Sequence, residues 1–460
     1  VSAGTRIRLR CSVFPPLART SRQHSMTSDK VPFMKTILDP PRGSKDPVAI
    51  KVILNRGSKL ESKWSAAGSG MILAVVLAAS CAAPVQANGY AADFSLVYIG
   101  QQIVPNKTSF LGTTVGGLSS LDYNPLTNRY LAISDDRSKT SPARFYELSL
   151  DLARFQRSPT PGMAGVTFHA VTTIRRPGGD AFTRNSVDPE GLRFDITRNK
   201  IYWSNEGHRG IFDFQNPTVR EMNPDGSHSR DFEVPARYYP SGSNMGLFPG
   251  DKGIYNNLAF ESLAISVDGD TLYTATENGL IQDSPPSNIF TGSRARILAF
   301  DIASGKPGAE YIYDVGPIVF APASFIGFAT NGLTDFIAIG DRQFITIERS
   351  FTRGAAMPGN ASTGYTVRLY YADARNATDI SGMESIAGRS IQSVKKILLL
   401  DLSDLKNTDG STLAVGNIEG ITLGPSFNDK RTLVLVADNN FTRNQLTQFI
   451  ALEINHFQIH

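Results

Sequence analysis

Carboxylates recur at one phase of this sequence. Glu190, Glu261 and Glu419 each open a short β-like phrase: Pro189-Glu190-Gly191-Leu192, Phe260-Glu261-Ser262-Leu263 and Ile418-Glu419-Gly420-Ile421. A second carboxylate closes the strand-like segment that follows: Glu206, Glu277 and Asp438. Two weaker copies carry Ser119 and Thr334 at the opening position and Asp136 and Glu348 at the close. Asp136, Glu206, Glu277 and Glu348 stand 70, 71 and 71 residues apart, and Asp438 follows after 90.

Carboxylates that converge in a poorly solvated site repel one another and hold protons more tightly. A hard cation removes that penalty. Calcium takes six to eight oxygens and tolerates mixed carboxylate, carbonyl and water ligation. Both cysteines, Cys11 and Cys81, precede residue 88, and the chain has six histidines, which argues against a soft zinc site. The expected metal ligands are therefore Glu190, Glu261, Glu419, Glu206, Glu277, Glu348, Asp438 and Asp136, with calcium as the ion. Glu190 and Glu261 are also candidate catalytic carboxylates. His208, the one histidine beside a repeat acid, is a candidate proton-transfer group.

Arginines interleave with these acids: Arg137, Arg209, Arg349, Arg353 and Arg443. A guanidinium fork suits phosphate or carboxylate oxygens. A metal held by acids and flanked by arginines suits a phosphate ester, because the ion activates water and neutralises phosphoryl oxygens. The plainer reading makes each arginine a structural ion pair that locks one repeat to the next.

The elements that must position these groups are short strands. No run of twelve residues sustains a helical period. Each repeat reads as about four apolar segments separated by turns, as in 260–265, 271–276, 296–300 and 310–314, with Asp268-Gly269-Asp270 as a hairpin turn. Four-stranded units near a period of 70 predict an all-β fold, a β-propeller of four-stranded blades. Five units are legible, and the stretch 354–415 has room for a sixth. The last unit holds about three strands, and 94–99 is placed to supply its fourth. In this fold the opening acids precede channel-lining strands, so two rings of oxygen ligands on one rim are expected.

Of the 460 residues, 41% are apolar and 19% charged, enough for a large core. The formal charge of +4 hides an asymmetry: residues 1–87 hold 13 Lys/Arg against 4 Asp/Glu, and 88–460 hold 33 against 38. An acidic body excludes a nucleic-acid footprint, and a small-molecule ester is the expected partner. Residues 1–70 read as disordered or as non-native upstream sequence. The apolar run from Met71 to Cys81, followed by Val85-Gln86-Ala87, reads as a secretory leader cleaved after Ala87, too short to span a bilayer. Ala79-Ser80-Cys81 offers the alternative of a lipid anchor at Cys81. On this reading the domain is 88–460, exported, a monomer, with no transmembrane span.

The phrases Gly117-Leu118-Ser119-Ser120-Leu121-Asp122-Tyr123, Asp188-Pro189-Glu190-Gly191-Leu192, Phe260-Glu261-Ser262-Leu263-Ala264, Thr276-Glu277-Asn278-Gly279 and Asn417-Ile418-Glu419-Gly420-Ile421 together resemble the phytase-like domain family, described as having "esterase-like activity of phytase". The resemblance covers about 115–440. It implies an exported bacterial β-propeller and action on phosphate or other esters, without a ligand set that maps residue by residue. The expected function is a calcium-dependent ester hydrolase. The alternatives are a non-catalytic surface propeller with structural calcium, and a lactonase-like hydrolase using Asn205, Asn278 and Asn439 beside the repeat acids.

Overall fold

The computed structural model describes residues 93–324, 326–355 and 363–458, all within the unit Ala87–His460. The leader-like segment, Cys81 and the basic stretch before it lie outside the described residues.

Five four-stranded antiparallel sheets follow one another along the chain. Blade 1 comprises Leu118–Asn124, Arg129–Ser134, Arg144–Leu150 and Val166–Thr173. Blade 2 comprises Pro189–Asp195, Lys200–Asn205, Thr218–Met222 and His228–Asp231. Blade 3 comprises Phe260–Ile265, Thr271–Thr276, Ser293–Asp301 and Pro307–Val315, and blade 4 Ala329–Gly340, Gln343–Thr352, Tyr365–Asp373 and Lys395–Asp401. Blade 5 comprises Asn417–Phe427, Lys430–Asp438 and Thr447–Gln458, and Asp93–Val104 supplies its fourth, outer strand. The first strand of each blade packs against the first strands of its two neighbours, closing a ring of five. The fold is a five-bladed β-propeller, sealed by pairing the first described strand with the last.

The room for a sixth blade between 354 and 415 is used otherwise. The third and fourth strands of blade 4 take part of it. The connection 374–394 reaches back onto blade 3, where Ile380 and Val394 donate N–H bonds to the carbonyls of Glu310 and Ile312. Ile380 and Ile386 bury there against Ile312. That detour explains the longer spacing before Asp438.

Alternation of apolar side chains along each strand fills the spaces between blades. Five apolar clusters lie one at each junction; Leu192, Trp203 and Ile133 fill that between blades 1 and 2, and Ile347, Leu369 and Leu435 that between blades 4 and 5. Burying a Leu or Ile there contributes about 1.5–3 kcal/mol each.

A polar plug crosses the axis below the acid phrases. Arg193 of blade 2 reaches Asp335 of blade 4 through Nη2, at 2.8 and 2.9 Å from its two oxygens. The same guanidinium donates to Ser120 Oγ of blade 1 and to the carbonyls of Phe336 and Ile421. Asp335 in turn accepts the Ile421 N–H at 3.0 Å. Four blades are joined by one buried pair, and the channel below the acids is filled by it.

Candidate metal centre

The antiparallel order sets which loops meet. Each first strand starts at the rim where its second strand ends, so the loops entering a blade and those between its second and third strands share that rim. The opening and closing acids of the repeats are brought there together.

Every first strand carries a bulge at the same position. Register shifts fall between Leu118 and Ser120, Pro189 and Leu192, Phe260 and Ser262, Leu333 and Asp335, and Ile418 and Gly420. The residues at the irregularity are Ser119, Glu190, Glu261, Thr334 and Glu419. A bulge breaks the two-residue alternation and re-aims a side chain, which is how an acid can leave the sheet's pleat for the channel mouth. Ser119 and Thr334 turn instead to neighbouring backbone, donating to the carbonyls of Glu190 and Ile418. Gly191 follows its acid because a Cβ would lie 2.9 Å from the Leu263 nitrogen of the next blade.

Two residues before each bulge residue stand Gly117, Asp188, Ala259, Gly332 and Asn417. Backbone pairing matches these with Asp135, Glu206, Glu277, Arg349 and Asp438. The structural register therefore differs by one residue from the acid-matched repeat in blades 1 and 4. Asp136 turns away from the cluster: it pairs with Arg144 at 2.8 Å and accepts N–H bonds from Lys139, Thr140 and Ser141. Glu348 accepts from the Tyr313 hydroxyl at 3.0 Å and the Gly316 N–H at 3.0 Å, and pairs with Lys396. Both are structural partners in this arrangement, whereas Asp135 and Arg349 occupy the rim.

The tightest group is Asp188, Glu190 and Glu206, all buried, with one carboxylate oxygen from each within 4.8 Å of the others. Oxygens on opposite sides of a calcium ion with bonds of about 2.4 Å stand about that far apart. Arg137 flanks the group: its Nε donates to Asp188 at 2.7 Å, and Nη2 lies 3.8 Å from Glu206 and 2.9 Å from Asn257 Oδ1. Opposite, Arg349 Nη2 lies 3.2 Å from Glu277 and 3.4 Å from Glu419.

Eight carboxyls thus share the mouth with two guanidiniums. Burial, then the charge of Glu206, pushes Asp188 well up. Burial, then Glu261 and Asp188, does the same to Glu190, and burial, then Glu206 and Glu277, to Glu261. Glu206 and Asp438 also rise through burial, and Asp135, Glu277 and Glu419 are each pushed up to about 7. Burial disfavours the charge on Arg349, but Glu277 and Glu419 outweigh it and raise its pKa. Three oxygens in the cluster, Asp135 Oδ1, Asp188 Oδ2 and Asn417 Oδ1, are buried without a hydrogen-bond partner, although Asp188 Oδ2 forms an ion pair with Arg137. Crowded acids, orphaned acceptor oxygens and an all-oxygen donor set fit a hard divalent cation.

The remaining sequence candidates sit apart. Arg209 is spent on backbone, donating to the carbonyls of Ile254 at 2.9 Å and Ser241 at 3.1 Å. His208 faces Asp213 across 3.7 Å on a short hairpin. Arg353 and Arg443 are exposed. Asp188, Asp135 and Asn417 were not singled out by the repeat, although Asp188-Pro189-Glu190-Gly191 and Asn417-Ile418-Glu419-Gly420 place a polar residue at one offset.

Residues 113–441 match the family "Phytase-like: Esterase-like activity of phytase". The chain belongs to this family. A stretch of 201 residues, 39% of this chain, is 25% identical to an "Uncharacterized secreted protein" of Arthroderma benhamiae and spans 38% of that relative's length. Among solved structures the chain is similar to the Dos1 propeller (7% identity, TM-score 0.30, 75% of this chain and 69% of the other) and to the RRP9 WD40 repeats (9%, 0.34, 80% and 100%).

Within this phytase-like propeller, Gly332 is a sensitive contact. A Cβ there would lie 2.2 Å from Glu277 Cγ and Oε1. Gly332→Ala must therefore displace the Glu277 side chain and its bond to Arg349. The variant is expected to stay folded and to weaken cation binding, measured by calcium titration; unchanged affinity would remove Glu277 from the site.

Proposed function

We propose that this phytase-like propeller is an exported, calcium-dependent hydrolase of phosphate or other esters. The observation that carries the reading is the buried group Asp188, Glu190 and Glu206 beside Arg137 at the open rim. Those three residues would hold the ion, with Asp135, Asn417, Glu419 and Asp438 completing the acidic wall. A bound calcium would neutralise ester oxygens and make a water molecule more acidic.

The chain's own residues supply the rest. Arg137 and Arg349 stand on opposite sides of the mouth and can orient an anionic ester by charge-assisted hydrogen bonds. On this reading Glu261, between the three-carboxylate group and Arg349 in the ring, would give or take the proton. His208 is tied to its hairpin, so that role falls to the carboxyl. Export rests on the leader-like sequence and on the secreted relative.

The lactonase-like alternative loses its motivation in the hydrogen bonding. Asn205 Oδ1 accepts the Asp188 N–H, Asn278 Oδ1 accepts the Ser287 N–H, and Asn439 Oδ1 accepts the Gly117 and Phe441 N–H groups. These asparagines brace loops.

The test is release of phosphate or alcohol from generic phosphate and carboxylate esters, with and without chelator. Chelation is expected to reduce turnover to background and calcium to restore it. Glu261→Gln is expected to lower kcat by about 10²–10⁴ if the carboxyl moves a proton. Equal rates under all these conditions would refute the reading, and calcium-dependent stability without turnover would make the propeller a binding module.

A further inference from the structure

The exposed apolar side chains are distributed unevenly between the two rims. Among the described residues, eleven of the seventeen exposed large apolar side chains lie on loops of the acid rim, against three, Leu126, Ile196 and Val267, on the opposite one. All five exposed phenylalanines among the described residues are on the acid rim, including Phe212 (97% exposed), Phe248 (62%) and Phe290 (83%). They occupy the arc of blades 2 to 4, next to Asp188, Glu190 and Glu206. Single exposed apolar residues need no explanation, but a one-sided set around a recessed polar site does.

The loops hold this set firmly. Arg209 joins the hairpin that carries Phe212 to the loop that carries Leu247 and Phe248, through its bonds to the Ser241 and Ile254 carbonyls. Its guanidinium also lies 5.0 Å from the centre of the Phe214 ring. The Arg137–Asn257 bond ties the same loop to the three-carboxylate group. The Ile318 N–H donates to the Asn288 carbonyl, joining the next two loops. The Arg209 guanidinium, which the proposed chemistry does not use, thus braces the apolar collar.

The charge pattern indicates the occupant. Segments 243–250, 284–292 and 316–328 contain no charged residue. Apolar tips arise from separate connections, so a protein partner would need a complementary pocket for each. A lipid surface has no fixed shape and accepts each tip singly, and a collar whose three longest apolar segments carry no charge, and whose Phe212 hairpin exposes the acidic Asp213, has no attraction for anionic headgroups. We propose that this rim docks on a zwitterionic lipid surface, and that the site takes esters with an apolar tail whose polar head enters the acidic mouth. The substrate class rests on the hydrolase reading; the docking surface rests on the collar alone.

The experiment compares flotation of the full chain with phosphatidylcholine vesicles against the Phe212→Ser/Phe248→Ser/Phe290→Ser variant and against Leu126→Ser/Val267→Ser on the other rim. The wild type is expected to float. The collar variant is expected to lose at least tenfold in partitioning, and the opposite-rim variant to match the wild type. All three substituted collar positions are exposed, so melting temperature should be unchanged and folding failure is separable. Equal flotation of all three proteins overturns the proposal. So does concentration-dependent dimerisation that the collar variant abolishes while vesicles are ignored, which would make the collar an interface between copies. Turnover of a short-chain soluble ester, expected to be equal in wild type and collar variant, separates the two readings: its absence refutes the hydrolase, whereas flotation decides the collar.

Discussion

Asp335→Asn is expected to destabilise the propeller by about 3–5 kcal/mol, because it strands the Arg193 guanidinium in the closed centre of the ring. Both side chains are buried, and the two carboxylate oxygens lie 2.8 and 2.9 Å from Nη2. Burial pushes the Asp335 carboxyl up to about 6 despite the opposing pull of Arg193. Both charges give up their hydration in such a buried pair, so the intact pair adds little net stability over an apolar filling. Losing one partner is different: the remaining charge keeps its desolvation cost and loses its counterion. Urea unfolding should show a lower midpoint for Asp335→Asn. A double-mutant cycle with Arg193→Met should show a coupling of one or more kcal/mol, since neighbours in one buried network do not add. A loss under about 1 kcal/mol in Asp335→Asn would mean that water reaches the axis and that the plug is open.

Removing one carboxylate of the three-acid group should act in two opposite directions. Glu190→Gln replaces a carboxyl that burial, Glu261 and Asp188 push well up, so that the fold keeps a proton which the unfolded chain releases above the ordinary carboxylate range. Without calcium and above that range its melting temperature should rise, because the amide needs no such proton to sit among the acids. Calcium binding should weaken by at least ten- to a hundredfold, since the outer partners of metal ligands alone are worth that much. For the wild type, calcium at a hundred times its Kd adds about 2.7 kcal/mol to the folded state, and in the variant at the same calcium concentration that increment should fall to about 1.4 kcal/mol or less. Thermal unfolding with and without calcium reads both signs. Asp136→Asn and Glu348→Gln discriminate further: they lie beside the cluster in sequence and outside it in space, so calcium affinity should be kept while stability falls.

That pair of controls marks where the sequence misleads. Five repeats, their strand order and the closing role of the first strand follow from apolar periodicity, because turns and two-residue alternation are local; the sixth blade that 354–415 has room for is ruled out only by the fold, in which that stretch packs on blades 3 and 4. Matching by acid type selects, in blades 1 and 4, the residue one place away from the position that faces the mouth. Within Gln343–Thr352 one place is the other face of the strand, and Asp136 lies in the connection just past Arg129–Ser134. Asp136 consequently meets Arg144, and Glu348 meets Tyr313 and Lys396, while Asp135 and Arg349 take the rim. A phase set by the bulge, and by the polar residue two places before it in Asp188-Pro189-Glu190 and Asn417-Ile418-Glu419, places all five blades in one register. The Arg193–Asp335 plug has no such signal. Its partners are 142 residues apart and become neighbours only when the ring closes.

The most direct test of the central claim is an anomalous-scattering map from calcium-soaked crystals. The account predicts a peak about 2.3–2.6 Å from carboxylate oxygens of Asp188, Glu190 and Glu206. A map without density there, or with its peaks only at acids outside the rim such as Asp136 or Glu348, would contradict it.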